Sequence, residues 1–243
     1  SRFAPMLPHK LAPNPLRLGV VLLAAGRGAR MGGRAKCLLQ RDDRPLLDWQ
    51  LKALLGDVLR AHGVSRVVVV LGHYAEHILP LLSDFSVATV CQPASDHNMA
   101  ASIDLGLRAL SVGGEVNGGD GNRLLNNDLD AVMVCPADLP LLDAQDYAQA
   151  IEAFQSRPLG SHLLYPCVDG VPGHPVIFDR AVCDDIFNAP QAMSPRQWRQ
   201  HHPAQVHAWV TENANYVWDV DSAEDIAALA RATGVVLKVP ALE

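Results

Sequence analysis

From Leu23 to Lys36 the chain reads Leu-Ala-Ala-Gly-Arg-Gly-Ala-Arg-Met-Gly-Gly-Arg-Ala-Lys, at the end of the apolar run Leu18 to Leu23. Glycines let backbone N–H groups approach an anion closely, and Arg27, Arg30, Arg34 and Lys36 can neutralise several negative charges at once. A polyphosphate fits both features. Two distant acidic motifs complete the set. Pro136-Ala-Asp-Leu-Pro140 closes another apolar run, and its prolines keep Asp138 out of a helix. Asp219-Val-Asp-Ser-Ala-Glu-Asp225 holds Asp219 and Asp221 two residues apart, hence on one face of a strand. A bridging Mg2+ would reconcile an anionic ligand with nearby carboxylates, with Asp138 as one ligand and Asp219 or Asp221 as the second.

Simpler readings compete with each motif. The loop lacks the Gly-Lys pair of a Walker A sequence, and Met31 stands where a dinucleotide fingerprint needs its third glycine. Asp48 does lie about 20 residues on, where a ribose-binding acid would sit. An ordinary strand-to-helix turn with solvated arginines is the plainest alternative. Asp138, Asp219 and Asp221 are also suited to capping turns and helices. His73-Tyr-Ala-Glu-His77 formally matches a zinc-protease pattern, but a solvated helix start explains it equally. His174, held on a turn by Pro172, Gly173 and Pro175, suits a substrate contact or a structural hydrogen bond, whereas His201 and His202 read as exposed. Cys91 and Cys135 read as small core residues rather than nucleophiles.

The elements that must position these residues alternate between strand and helix. Apolar runs at Leu18–Ala25, Arg66–Gly72, Val87–Gln92 and Ala131–Cys135 predict buried strands. Helical patterns fall at Pro45–Ala61, Ala75–Leu82, Met99–Leu110 and Ala144–Gln155. This order predicts an α/β, single-domain, Rossmann-like fold with a mostly parallel central sheet and helices on both faces, so that Asp138 lies at the carboxyl edge. Later, His162–Cys167 and Val176–Phe178 predict a strand pair around a tight turn, followed by a short helix at Ala181–Asn188. Strands are expected at Val206–Val210 and Tyr216–Val220, then a helix at Ser222–Thr233 opened by an acidic capping box of Ser222 and Asp225. Residues 1–15 read as a flexible arm, 16–243 as the domain, and the Gly-, Asn- and Asp-rich segment 111–128 as a mobile insertion.

A chain of 243 residues can bury a full core. Its net charge of −6 argues against broad nucleic-acid binding, so the basic loop is local. No apolar stretch approaches membrane-spanning length, and five cysteines without a Cys-x-x-Cys pair suggest reduced thiols in a cytoplasmic protein.

Together the motifs amount to a resemblance. Leu23-Ala-Ala-Gly-x-Gly-x-Arg-Met-Gly…Lys36, Pro136-x-Asp-x-Pro140 and Asp219-Val-Asp221-Ser-x-Glu-Asp225 occur in the order found in the MobA-like nucleotidyltransferase superfamily, of nucleotide-diphospho-sugar transferase type. Asn98-Met-Ala-Ala-Ser-Ile-Asp-Leu-Gly-Leu107 and Gly170-Val-Pro-Gly-His-Pro-Val-Ile-Phe178 are similar to segments of its molybdenum cofactor cytidylyltransferase branch. The resemblance implies that Leu23, Ala24, Ala25, Gly26, Arg27 and Gly28 bind the nucleotide, while Arg30 and Lys36 hold the triphosphate and act in catalysis. It implies that Asp138 is catalytic and the principal Mg2+ ligand, that Asp221 is the second ligand, and that Ser102 lines the nucleotide pocket. Gly173 and His174 would face the acceptor. The implied reaction is Mg2+-dependent transfer from a nucleoside triphosphate, CTP by preference, to the terminal phosphate of molybdopterin cofactor. A molybdoenzyme or its chaperone would be the partner. Guanylyl transfer, transfer to a sugar or polyol phosphate, and a non-catalytic cofactor chaperone are the alternatives. The chain departs from the pattern at Ala35, where proline is common, at Asn98, where glycine is usual, and at Ser194-Pro-Arg-Gln-Trp-Arg-Gln-His201. That last stretch replaces a Gly-Asp-x-Gly-Ala-Arg motif of many cytidylyltransferases, in the acceptor region.

Overall fold

The first apolar run forms strand β1 (Leu18–Ala24), and its alternate residues enter two different cores: Val20 and Leu22 one, Val21 the other. A computed structural model of the protein describes residues 16–26, 32–93, 98–111, 125 and 127–240. After a 3-10 turn at Lys36–Leu38 come the short strands β2 (Gln40–Arg41) and β3 (Arg44–Pro45), then helices α1 (Leu46–Leu55) and α2 (Asp57–Ala61). Next are β4 (Val64–Leu71), α3 (Ala75–Ile78), β5 (Ala88–Cys91), α4 (Met99–Ser111), β6 (Ala131–Pro136) and α5 (Ala144–Gln155). The remainder comprises β7 (Leu163–Val168), β8 (Val171–Pro172), β9 (Val176–Asp179), α6 (Arg180–Phe187), α7 (Pro195–His201), β10 (Val206–Val210), α8 (Ala223–Thr233) and β11 (Leu237–Lys238).

The main sheet has the order β10-β7-β9-β6-β1-β4-β5, with β8 added to β7. β5, β4, β1 and β6 are mutually parallel, as are β7 and β10; β9 runs antiparallel to both its neighbours. The fold is therefore α/β in a single domain with a mostly parallel, mixed sheet. One face packs on α1, α2 and α5 through Leu51, Leu59 and Phe154; the other packs on α4, α6 and α7 through Leu107, Val182 and Trp198. A small sheet, β11-β2-β3, closes a third cluster of Leu39, Leu46, Val220, Leu229 and Leu237. α4 lies close on β1 because residue 106 is glycine: a Cβ there would meet Val21 Cγ1 at 2.4 Å.

Several expectations from the sequence are corrected. The helix expected at Pro45–Ala61 is two helices, because Gly56 takes an extended conformation (ψ 175°) between them. The pattern at Ala75–Leu82 gives one α-helical turn and then a 3-10 turn at Leu79–Leu82, where Pro80 lacks a donor. Tyr216–Val220 is not a strand. A 3-10 turn at Ala214–Tyr216 precedes it, and Asp146 fixes that turn: its carboxylate accepts from Asn213 Nδ2 (2.8 Å) and Asn215 Nδ2 (3.1 Å), and its carbonyl accepts from Tyr216 OH (2.6 Å). Cys91 is exposed on the edge strand β5 rather than in the core. His202 is half-buried, its ring stacked 4.3 Å from Trp198, while His201 is exposed. Residues 1–15 and most of 111–128 lie outside the described residues. The far end of the latter segment is anchored, with Leu125 buried and its carbonyl accepting from Arg180 Nη2 at 2.7 Å. Among the described residues no helix is long and apolar enough to cross a membrane.

Candidate active site

Because β1, β4 and β6 are parallel, the loops that follow them leave the sheet at one edge, where ligands of open α/β folds bind. There the Ala137 N–H donates to Leu23 O at 2.9 Å, tying the turn after β6 to the end of β1. Behind the turn lies the fully buried Gln50 of α1. Its Nε2 donates to Leu139 O (3.0 Å) and Leu142 O (3.3 Å), while its Oε1 accepts from Tyr147 OH. Cys135 Sγ lies 3.1 Å from the same hydroxyl. A satisfied buried polar network rigidifies the backbone it holds. Here it holds the segment that carries Asp138.

Lys36 opens the 3-10 turn after the glycine-rich loop, and its Nζ lies 3.1 Å from Asp138 Oδ2 and 2.7 Å from Asp221 Oδ1. Asp221 is positioned by the start of α8. The Asp221 and Ser222 N–H groups both donate to Asp225 Oδ2 (2.8 and 3.1 Å), and Ser222 Oγ accepts from the Asp225 N–H at 3.3 Å. This is the expected acidic capping box. Burial works against the Lys36 charge, but Asp138, Asp221 and Asp219 outweigh it and hold the ammonium pKa above the ordinary lysine value. Asp219 joins the same cluster. Burial raises its carboxyl pKa, Lys36 pulls it down, and Asp138 and Asp221 push it up again. Two carboxylates converging on one cation suit Mg2+, which takes one or two carboxylates and leaves its other positions to phosphates and water. Among the described residues no group of three or more His, Cys, Asp or Glu is placed to hold a metal ion. Burial pushes the thiols of Cys37 and Cys135 up to about 12, which leaves both protonated and unreactive.

Beside this cluster opens a cavity of about 710 Å3. Leu23 and His174 line it, together with Met99, Ala100 and Ile103 of α4 and Arg196 and Arg199 of α7. Gly173 is tied to β7 and His174 to the residue stretch just before the acidic segment: Gly173 N–H donates to Pro166 O (2.8 Å) and His174 N–H to Tyr216 O (3.0 Å). A Cβ on Gly173 would fall 2.3 Å from Tyr216 O, so only glycine fits there. Burial lowers the His174 pKa and Arg199 lowers it further, against the opposing pull of Asp219. The ring is thus neutral at pH 7, and its buried Nδ1 has no hydrogen-bond partner among the described residues.

The model of the MobA-like NTP transferase domain matches residues 20–206. The chain belongs to this family. Solved structures share the fold. Rv0371c from Mycobacterium tuberculosis superposes with a TM-score of 0.64 at 20% identity, covering 88% of this chain and 98% of its own. Mth528, a nucleotidyl transferase from Methanothermobacter thermautotrophicus, gives 0.65 at 19%, covering 89% and 97%. CMP:2-keto-3-deoxy-manno-octonic acid synthetase in complex with CTP gives 0.63 at 11%, covering 90% and 98%. Rv0371c is also known in complex with manganese. Among curated proteins none matches.

In this MobA-like NTP transferase the structure brings Lys36, Asp138 and Asp221 together at the edge where Ala24, Ala25 and Gly26 leave β1. Arg27, Gly28 and Arg30 lie outside the described residues. Ser102 is buried and donates its hydroxyl to Gln92 Oε1, bracing the start of α4. Gln50 escaped notice in the sequence, because a glutamine in an amphipathic helix gives no sign of its partners. Arg196 and Arg199 did leave a sign, since they occupy the stretch that departs from the cytidylyltransferase pattern.

Proposed function

We propose that the protein transfers CMP from CTP to the terminal phosphate of molybdopterin cofactor in a Mg2+-dependent reaction, releasing pyrophosphate. The reading rests above all on Lys36 Nζ lying within 3.1 Å of both Asp138 and Asp221, beside a glycine-rich loop in an NTP transferase. An acceptor phosphate oxygen attacks the α-phosphorus in line. The bond to the β-phosphate oxygen breaks, and its electron pair leaves on pyrophosphate. The acceptor phosphate is largely ionised near neutral pH, so no strong general base is needed, and catalysis is positioning plus electrostatics. Backbone groups of Leu23, Ala24, Ala25 and Gly26, with Arg27 and Gly28, cradle the nucleotide, and Ser102 supports that pocket by bracing α4. Lys36 is charged at every physiological pH and, with Arg30, offers positive charge to the leaving pyrophosphate. Asp138 and Asp221 would hold Mg2+, which would neutralise phosphate charge as the bond to pyrophosphate breaks. Gly173 and His174 face the acceptor.

By its resemblance to cytidylyl rather than guanylyl relatives, the Ala24-Ala25-Gly26 loop start supports CTP over GTP, and a neighbour of this fold is known with CTP bound. The manganese complex of Rv0371c supports a divalent metal. Five free cysteines suit a cytoplasmic enzyme that hands its product to a molybdoenzyme or its chaperone. Pyrophosphate release measured with CTP, GTP, ATP and UTP, each with and without molybdopterin cofactor, tests the reading. Release is expected with CTP plus the pterin. Release with a sugar phosphate and none with the pterin would overturn the acceptor, and a clear GTP preference would overturn the donor.

A further inference from the structure

The cavity has two chemically distinct walls. Leu23, Ile103, Val134 and Val176, from β1, α4, β6 and β9, make one of them apolar. The other is α7, which contributes Arg196 and Arg199. The Arg199 guanidinium lies 4.3 Å from the centroid of the Tyr165 ring on β7, a cation–π contact that limits its rotamers and aims its fork. Arg17, Arg44, Arg60, Arg66, Arg108 and Arg157 each pair with a carboxylate. Among the described residues Arg196 and Arg199 have no such partner. Two unmatched cations and an apolar surface lining one cavity, with His174, whose buried Nδ1 is unpartnered, in the same lining, define a site for an anion with an apolar body.

We propose that Arg199, aimed by Tyr165, and Arg196 bind the phosphate of the acceptor, a phosphomonoester whose apolar body lies against the apolar wall. The acceptor's identity as the ligand rests on the transfer reaction proposed above. The arrangement answers a physical problem in that reaction: a phosphate dianion must approach a triphosphate that repels it. One set of cations, around Lys36, takes the donor. A separate set on α7 takes the acceptor, so neither anion competes for the other's charge. It also gives a reason for the departure of the stretch 194–201 from the cytidylyltransferase pattern, while Arg30, Lys36 and the acids keep to it. The departure changes which phosphomonoester is accepted, not how the transfer is driven.

Calorimetric titration of phenyl phosphate, without nucleotide, tests the site in wild-type protein and in Arg199→Gln, Arg199→Lys, Arg196→Gln and the distant control Arg60→Gln. Wild type and R60Q are expected to bind alike. R199Q should weaken binding by about 10- to 100-fold, as charge-assisted hydrogen bonds are lost. R199K should recover part of that affinity, because charge remains but the fork and stacking do not. The exposed Arg196 gives a variant that will fold even if R199Q does not, and it should lose affinity in the same direction. Binding unchanged in both glutamine variants, phenol binding as well as phenyl phosphate, or no binding by wild type would each overturn the proposal. If phenyl phosphate binding depends on Arg199 but no nucleotide is ever cleaved, the site stands and the transfer reading fails. If transfer proceeds and neither variant moves the acceptor KM, the transfer reading stands and the site fails.

Discussion

The charged edge around Lys36 and the cavity beside it use positive charge in opposite ways. At the edge, Lys36 is held between Asp138 and Asp221, so the cation and the carboxylates satisfy one another before any ligand arrives. In the cavity, Arg196 and Arg199 face an apolar wall with no carboxylate partner among the described residues. Self-neutralised charges tolerate partial burial; unmatched ones remain at the surface of a pocket until an anion enters. The first arrangement preserves geometry, and the second provides a preference for what binds. The two regions meet at Gly173 and His174, whose backbone is hydrogen bonded to Pro166 and to Tyr216, just before the acidic segment.

The largest test of this contrast is Asp138→Ala. Losing one charge contact at the reacting centre should cost on the order of 10²–10³ in rate. The acceptor KM should move little, the reverse of what the α7 variants do. Near-normal turnover measured as pyrophosphate release would remove Asp138 from the reaction. A smaller effect, on both regions at once, is expected from Gly173→Ala. The added Cβ collides with backbone rather than with a movable side chain, and the shift should destabilise the fold by about 1–3 kcal/mol in denaturant titration. Unchanged stability would show that the turn and the acidic segment are not tightly coupled.

The smallest effect is a pH dependence. His174 has a lowered pKa in the folded protein, so between pH about 6.5 and its folded value the unfolded chain binds more protons. Its contribution to stability is therefore complete above pH about 6.5 and falls as the solution is acidified. His62 has the opposite sign: its hydrogen bond to Glu152 raises its pKa, so its contribution is full below that pH and is lost on going up through the folded value. The difference in Tm between wild type and His174→Gln, followed from pH 7.5 to 5.5, should isolate the first term (about one pH unit on either side of the free histidine value). A constant difference would mean that His174 is not held neutral by the cavity.

Much of the fold was legible in the sequence because β1, β4 and β6 are buried on both faces and read as unbroken apolar runs. The acids near the carboxyl edge were legible for a related reason, since each follows such a run or opens a capped helix. What escaped depended on partners far away in the chain. The alternation at Tyr216–Val220 mimics a strand, yet Asp146 fixes the preceding turn, about 70 residues away by the hydrogen bonds it makes. The tight turn after β7 signalled that β9 reverses against it, but the place of β9 antiparallel beside β6 depends on a pairing that apolar pattern does not encode. The partner of Ser102, whose hydroxyl donates to Gln92 Oε1, was likewise not legible. The arginines of α7 stood out by type, while the wall they face is assembled from four separate elements.

The most direct test of convergence at the charged edge is a Mn2+ titration followed by electron paramagnetic resonance, with and without CTP. It compares wild type with Asp138→Asn and Asp221→Asn. The account predicts that CTP tightens Mn2+ binding in wild type, and that each asparagine variant loses most of that gain while remaining folded. Equal, nucleotide-dependent Mn2+ binding in all three proteins would contradict it.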